Sequence, residues 1–324
     1  MHNYAVGKTR TIDRIAALAG ILIGQQQLSL EIINSANFEA TFTNNQNTYI
    51  YSLATRNRNI VSEILTINDV IKLKRAADGT GTLYYEQEGR DITFHMSDNR
   101  PIITSRRDNF QHSYLENLFR WADELHCYYF GSSRDMGQRN ILATINLDEF
   151  SNEEFNTHET FRINELYLRA KREFGDNFDN KIISFMHEIE YDVSNLSIEI
   201  NPNTAIVEED KSPLYNIMSN LSSTILIDDI GEGLDFERST KLITLLIELA
   251  ENNDNIQLIM STNDRYVMNK VPFKYWQLIN RKGGECNVYN YQNSKEIFDE
   301  FKYTGLNNFD FLATDFINSE REQK

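Results

Sequence analysis

Apolar residues recur at helical spacing through residues 10–23, RTIDRIAALAGILI, where Ile12, Ile15, Ala16, Ala19, Leu22 and Ile23 form a stripe. The spacing predicts a helix. From about residue 36 to 104 the period changes. FEATF, TYIYSL, EILTI, TLYYEQ and DITFHM alternate or are rich in β-branched and aromatic residues, with Asn, Asp and Gly between them. They predict an antiparallel sheet, and DGTG at 78–81 suits a hairpin turn. Helical spacing returns over about 112–190 in YLENLFRWADEL, NEEFNTHETFRINELYLRAKREFG and FDNKIISFMHEI, with Gly175 as a helix stop. A strand, LSIEI, is expected at 196–200, then an acidic loop (Glu208, Glu209, Asp210) and a helix near 212–221. The last third alternates strand and helix: TILIDDI, a helix over 236–252, IQLIMST, a short helix near 264–269, and YWQLINR. Continuous apolar strands alternating with helices predict a parallel sheet covered on both faces.

Two of these elements carry candidate chemistry. The first helix follows Gly7-Lys8-Thr9, the ending of the phosphate-gripping pattern G-x-x-x-x-G-K-[ST]. A helix in that place points backbone N–H groups at an anion. Lys8 would contact β- and γ-phosphates, Thr9 would offer a hydroxyl to Mg²⁺, and the N–H groups around Gly7 would cradle phosphate oxygens. Arg10 is counted with the phosphate-binding residues. The second element is the strand TILID, in which four residues run into Asp228 and Asp229. A buried strand ending in carboxylates suits the sheet edge where ligands sit. Asp228 would hold Mg²⁺ through water, since Mg²⁺ keeps most of its hydration shell, and Asp229 would orient or deprotonate an attacking water. Alone, a strand ending in a solvated acidic turn looks the same.

Composition narrows the partners. The net charge of −16 supplies no long-range basic field to draw in nucleic acid. The short basic runs Lys72, Lys74, Arg75 and Arg100, Arg106, Arg107 read as solvated surface. No apolar run is long enough to cross a membrane, and no leader of secretory type opens the sequence. The only two cysteines, Cys127 and Cys286, are far apart and lack partners at metal spacing, which fits a reducing, cytoplasmic location. His126-Cys127 reads as packing and not as a metal pair, and no Ser-His-Asp arrangement is present. The aromatic stretch FKYTGLNNFDFLATDF near the C-terminus reads as core packing.

The acidic strand is followed by Gly231-Glu232-Gly233-Leu234-Asp235, an amphipathic helix, and IQLIMSTND. This order resembles the ABC-type ATPase head of the SMC/RecF-like, AAA-type bacterial defence ATPases, and the resemblance covers nearly the whole chain. It implies an α/β P-loop NTPase head with a mixed or parallel sheet, an antiparallel β subdomain and a helical subdomain. The boundaries expected are 1–35 for the Walker A remnant and first helix, 36–110 for the β subdomain, 111–195 for the helical subdomain and 196–324 for the rest of the ATPase core. Asp228-Asp229 occupy the Walker B position, and Gly233-Leu234-Asp235 that of the D-loop at a head-to-head dimer interface. Thr262-Asn263 occupy the switch position, where the family has a histidine that senses the γ-phosphate. Ser212 stands near the place of the signature serine that acts on the partner's ATP.

Several departures from that family matter. His2 sits where the first glycine of the Walker A loop belongs, with Tyr4 and Ala5 also atypical. Either the loop is degenerate, or the N-terminus is clipped or its start misplaced; the second is expected here. Pro213 replaces the signature glycine and lacks the N–H that a phosphate oxygen wants. Asp229 is one methylene shorter than the usual glutamate, and a misplacement of about 1 Å can cost on the order of a hundredfold in rate. Asn263 cannot carry a proton as histidine does, though its amide can donate to phosphate. Gln111 and Gln138 lie in the territory of the Q-loop without a firm assignment.

The resemblance therefore implies ATP and Mg²⁺ as cofactors, slow hydrolysis, a homodimer or higher oligomer, and an effector partner (a nuclease or toxin) in antiviral defence. Two alternatives remain open: a catalytically dead scaffold, and a RecF-like DNA-repair head.

Overall fold

The computed structural model describes residues 7–24, 35–44, 46–57, 59–96, 100–129, 170–194, 196, 198–201, 204–207, 222–282 and 285–317. These divide into two compact units, one of Met1–Ile12 with His126–Lys324 and one of Asp13–Leu125. The chain is mixed α/β, with one six-stranded antiparallel sheet and a separate three-stranded sheet containing a parallel pair. Among the described residues no helix is long and apolar enough to cross a membrane.

The unit of residues 13–125 is an antiparallel meander whose six strands lie side by side in chain order: β1 (Ser35–Thr43), β2 (Thr48–Arg56), β3 (Asn59–Ile67), β4 (Val70–Ala76), β5 (Thr80–Tyr85) and β6 (Arg90–His95). Alternation does what the sequence pattern leads one to expect. Along β2, Tyr49, Tyr51, Leu53 and Thr55 are buried while the residues between them are only half-buried. At the 78–81 turn Gly79 has φ +81, and a Cβ there would stand 2.2 Å from the carbonyl oxygen of Met96. Asp78 Oδ1 accepts from the Thr80 amide at 2.9 Å and fixes the same turn.

Helix α1 (Lys8–Leu22) starts at the GKT sequence, and its residues from Asp13 onward belong to this unit. Ala17, Leu18, Ala19, Ile21 and Leu22 are all buried there, so the helix is enclosed on several sides and not along one stripe. Short α2 (Ile102–Ser105) and α3 (Ser113–Asp123) complete the unit. Helix α3 is tied to the sheet by Tyr114 Oη donating to Tyr84 O at 2.8 Å and Asn117 Nδ2 donating to Tyr49 Oη at 2.8 Å. The Phe42 and Trp121 rings add an edge-to-face contact at 4.7 Å.

The basic run Lys72, Lys74, Arg75 lies in β4, and it is not all solvated surface as expected: Arg75 is 4% exposed. Its guanidinium lies 3.9 Å from the buried Glu63 carboxylate and donates to Arg100 O at 2.8 Å. Pairing with a buried acid inverts the usual surface preference of arginine.

Besides the start of α1, the other unit takes in β7 (Leu125–Tyr129) from His126 onward, a strand inside territory expected to be helical, where Cys127 is buried. Then come α4 (Asp176–Glu188), the antiparallel pair β8 (Ile198–Asn201) and β9 (Thr204–Val207), and β10 (Ser223–Asp228). Next are α5 (Phe236–Glu251), β11 (Ile256–Met260), α6 (Arg265–Lys270) and a 3₁₀ turn, Phe273–Tyr275. A hairpin of β12 (Gln277–Lys282) and β13 (Glu285–Asn290), α7 (Lys295–Lys302) and α8 (Asn308–Ala313) close the unit.

The three-stranded sheet has the order β11-β10-β7, with β10 and β11 parallel. Every residue of β10 is buried, as its unbroken apolar run leads one to expect. Ile225, Ile227 and Ile230 pack with Ile243 and Leu246 of α5 and Val267 of α6.

The C-terminal aromatics form a second core. Phe298, Phe301, Phe311 and Ile317 pack with Phe273 and Tyr289, and the Phe298 and Phe311 rings stack at 4.8 Å. Cys286 is exposed. His2, Tyr4, Ala5, Gln138, Ser212, Pro213, the 208–210 loop, the 212–221 helix and most of the 152–175 helix lie outside the described residues.

Candidate functional site

The N-terminus of α1, the end of β10 and the end of β11 meet within one unit. Gly7 has φ +101, a conformation glycine takes without penalty, and its carbonyl accepts from the Thr11 amide at 2.9 Å. The Thr11 hydroxyl donates to the same carbonyl at 3.0 Å. Lys8 then begins the helix, Thr9 is half-buried in the first turn, and Arg10 is exposed. No acidic side chain occupies that first turn, so the helix dipole and Lys8 together favour an anion.

Strand β10 delivers Asp228 to the site with none of its surface exposed. Its Oδ1 accepts from the hydroxyl of Ser261, while Oδ2 is buried and has no hydrogen-bond partner among the described residues. The chain then turns sharply. Asp229 adopts φ +55, a left-handed conformation that aspartate takes more readily than most residues, and its amide donates to Ser261 Oγ at 3.1 Å. Gly231 follows at φ +92, where a Cβ would meet Val267 Cγ2 at 2.8 Å. This turn therefore sits directly on α6.

Strand β11 ends beside it. The Ser261 amide donates to Ile227 O at 2.8 Å, and the Ile230 amide donates to Ser261 O at 2.9 Å. The Thr262 hydroxyl donates to Ile230 O at 2.8 Å and accepts from the Asp264 amide at 2.9 Å. Asp264 caps α6 by accepting from the amides of Tyr266 and Val267 at 2.7 and 2.8 Å. Between these anchored residues Asn263 is exposed, and its Oδ1 accepts from the ammonium of Lys8.

The electrostatics follow from partial burial of opposite charges. Burial pulls the Lys8 pKa below its ordinary value, against the fields of Asp229 and Asp228, which raise it. Burial raises the Asp229 pKa, Asp228 and Glu232 push the same way, and Lys8 opposes them. A cation and two acids gathered in one desolvated place is the arrangement that functional sites share.

Lys8, Asp228, Asp229 and Asn263 are thus brought together. Asp235 is placed differently. It caps α5, accepting from the Arg238 amide at 2.9 Å and lying 3.1 Å from the Arg238 guanidinium. Ser212 is outside the described residues. Ser261, for which the sequence offers no motif, holds the Asp228 carboxylate and the backbone amide of Asp229. Its one signal is its place after the apolar run of β11, directly before Thr262-Asn263.

Asp228 Oδ2 fits a cation, since a buried carboxylate oxygen with no donor is otherwise costly. Among the described residues no group of three or more His, Cys, Asp or Glu side chains could hold a metal by itself. Mg²⁺ takes one or two carboxylates and completes its shell with phosphate and water, and Asp228 Oδ2 is the oxygen here that could serve it. No family model matches this chain, and no curated protein matches it significantly.

Proposed function

We propose that the chain is the head of an ABC-type P-loop ATPase. It binds ATP with Mg²⁺, hydrolyses it slowly, dimerises through nucleotide, and scaffolds or controls an effector protein, a nuclease or toxin, in bacterial antiviral defence. One observation supports this best. A GKT helix start and an Asp-Asp strand end, at opposite ends of the sequence, share one neighbourhood in which Lys8 donates to Asn263 and feels both carboxylates.

In this reading Lys8 leaves Asn263 and donates to β- and γ-phosphate oxygens, and the first amides of α1 cradle the same anion. Thr9 and Asp228 would hold the metal, Asp228 through its unpartnered Oδ2, and a bound Mg²⁺ would supply charge to offset that of the phosphates. Asp229 orients the attacking water. Its raised proton affinity favours accepting that water's proton, and its short side chain keeps the step slow. Once Lys8 has gone, the Asn263 amide can donate to the γ-phosphate. Asp235 contributes to the dimer face by fixing the start of α5, and Ser212 would act on the partner's nucleotide. The buried Glu63–Arg75 pair removes Arg75 from the basic surface a DNA-repair head would need.

Phosphate release tests the reading. Wild type should turn over ATP only with Mg²⁺, and Asp229→Ala should lose turnover while keeping nucleotide binding. Absence of turnover together with a nucleotide-independent oligomer would show a scaffold instead.

A further inference from the structure

We propose that Ser261 is a positioning residue that sets both carboxylates of the site and couples them to the end of β11. The inference rests on the ATP–Mg²⁺ reading and adds a residue and a role to it. A serine hydroxyl has one proton to give and lone pairs to accept with. Here the proton goes to Asp228 Oδ1, and a lone pair receives the Asp229 amide at 3.1 Å. The donor is therefore spent, and Oδ2 of Asp228 is left buried without a partner.

The terminal torsion of an aspartate is broad and two-fold, so packing alone does not distinguish its two oxygens. The Ser261 hydroxyl does distinguish them, and the oxygen it leaves free is the one that can serve a cation. The same hydroxyl holds the amide of Asp229 at φ +55, which fixes where the second carboxylate departs from the chain. Ser261 is itself held by backbone hydrogen bonds on both sides, at 2.8 Å to Ile227 O and 2.9 Å from the Ile230 amide. Two residues further on, Asn263 holds Lys8. One short segment of chain thus carries the partner of the metal-binding acid, the support for the water-orienting acid and the partner of the phosphate-binding lysine. A hydroxyl that orients a metal-ligating carboxylate is worth about 10–100-fold in metal affinity.

Calorimetric titration of ATP tests this, run once in Mg²⁺ and once in EDTA, on wild type, Ser261→Ala and Ser261→Thr. Wild type should bind ATP more tightly in Mg²⁺. Ser261→Ala should lose about 10–100-fold of affinity in Mg²⁺ and keep its affinity in EDTA. Ser261→Thr keeps a hydroxyl and should restore the gain from Mg²⁺. A merely structural serine would weaken binding equally in both buffers, and that result overturns the proposal, as does an undiminished Mg²⁺ gain in Ser261→Ala. If Ser261→Ala fails to fold by circular dichroism, Ser261→Cys is read in its place. Its weaker S–H donor should give a partial loss, and a full Mg²⁺ gain there again overturns the role. If wild type binds no ATP in either buffer, the ATPase reading itself falls and takes this proposal with it. A normal Mg²⁺ gain in both wild type and Ser261→Ala removes the serine's role alone.

Discussion

Replacing Glu63 with glutamine should abolish a pH dependence of stability that the wild type carries near neutrality. Glu63 lies in β3 with no exposed surface, and each carboxylate oxygen accepts from the Ile102 amide at 3.0 Å. Tyr51 Oη donates to it at 3.1 Å, and Arg75 stands 3.9 Å away. The hydrogen bonds and the arginine favour the charged form, whereas burial disfavours it. Burial wins, and the pKa rises from 4.5 to about 7. The native state therefore holds this proton more tightly than the unfolded chain does. Stability attributable to Glu63 is fully present below pH 4.5 and is lost as pH rises toward 7. The shift from 4.5 to about 7 corresponds to about 3 kcal/mol at about 1.36 kcal/mol per unit.

Urea unfolding at a series of pH values measures this effect. The chain has only two tryptophans, so in a Trp276→Phe background the fluorescence of Trp121 reports the sheet unit alone. Glu63→Gln keeps a side-chain oxygen for Ile102 and cannot titrate. Between pH 4.5 and 7 the wild type should lose about 3 kcal/mol relative to Glu63→Gln. Parallel curves for the two proteins over that range would refute the argument.

Two further outcomes follow from the nucleotide site. Asp228→Asn should lose the Mg²⁺ dependence of ATP binding, because an amide NH₂ in place of the unpartnered Oδ2 cannot serve a cation; titration of ATP in Mg²⁺ and in EDTA checks this, and an undiminished gain from Mg²⁺ would contradict it. Gly231→Ala should destabilise by about 1–3 kcal/mol, since φ +92 and the 2.8 Å approach to Val267 leave no room for a methyl group. A thermal melt of that variant at the wild-type midpoint would contradict the turn geometry described.

Some of this was legible in the sequence because the physics is periodic. The five residues TILID are all buried in β10, as an unbroken apolar run requires when both faces of a strand are covered. The alternating segment TYIYSL was legible as a sheet strand, and in β2 Tyr49, Tyr51 and Leu53 share its buried face. The C-terminal stretch FKYTGLNNFDFLATDF does supply core packing through Phe301 and Phe311, which are buried, while Tyr303 within it is 91% exposed. What stayed hidden depended on partners remote in the chain. Strand β4 carries Lys72, Lys74 and Arg75 in seven residues, so it looks like surface until Glu63 is seen opposite Arg75 in the β3–β4 register. Strand β7 is only five residues long and lies among helical signals. Ser261 has no pattern of its own, and its role exists only because the turn at Asp229 brings an amide and a carboxylate to one hydroxyl.

The central claim is that Lys8 and Asp228 serve one triphosphate and its metal. A double-mutant cycle on ATP affinity in Mg²⁺, using Lys8→Ala, Asp228→Asn and the pair, tests it most directly. If both side chains act on the same ligand, the double variant should lose less than the sum of the single losses, with a coupling above about 0.5 kcal/mol. Losses that simply add, or an ATP affinity that neither substitution changes, would contradict the account.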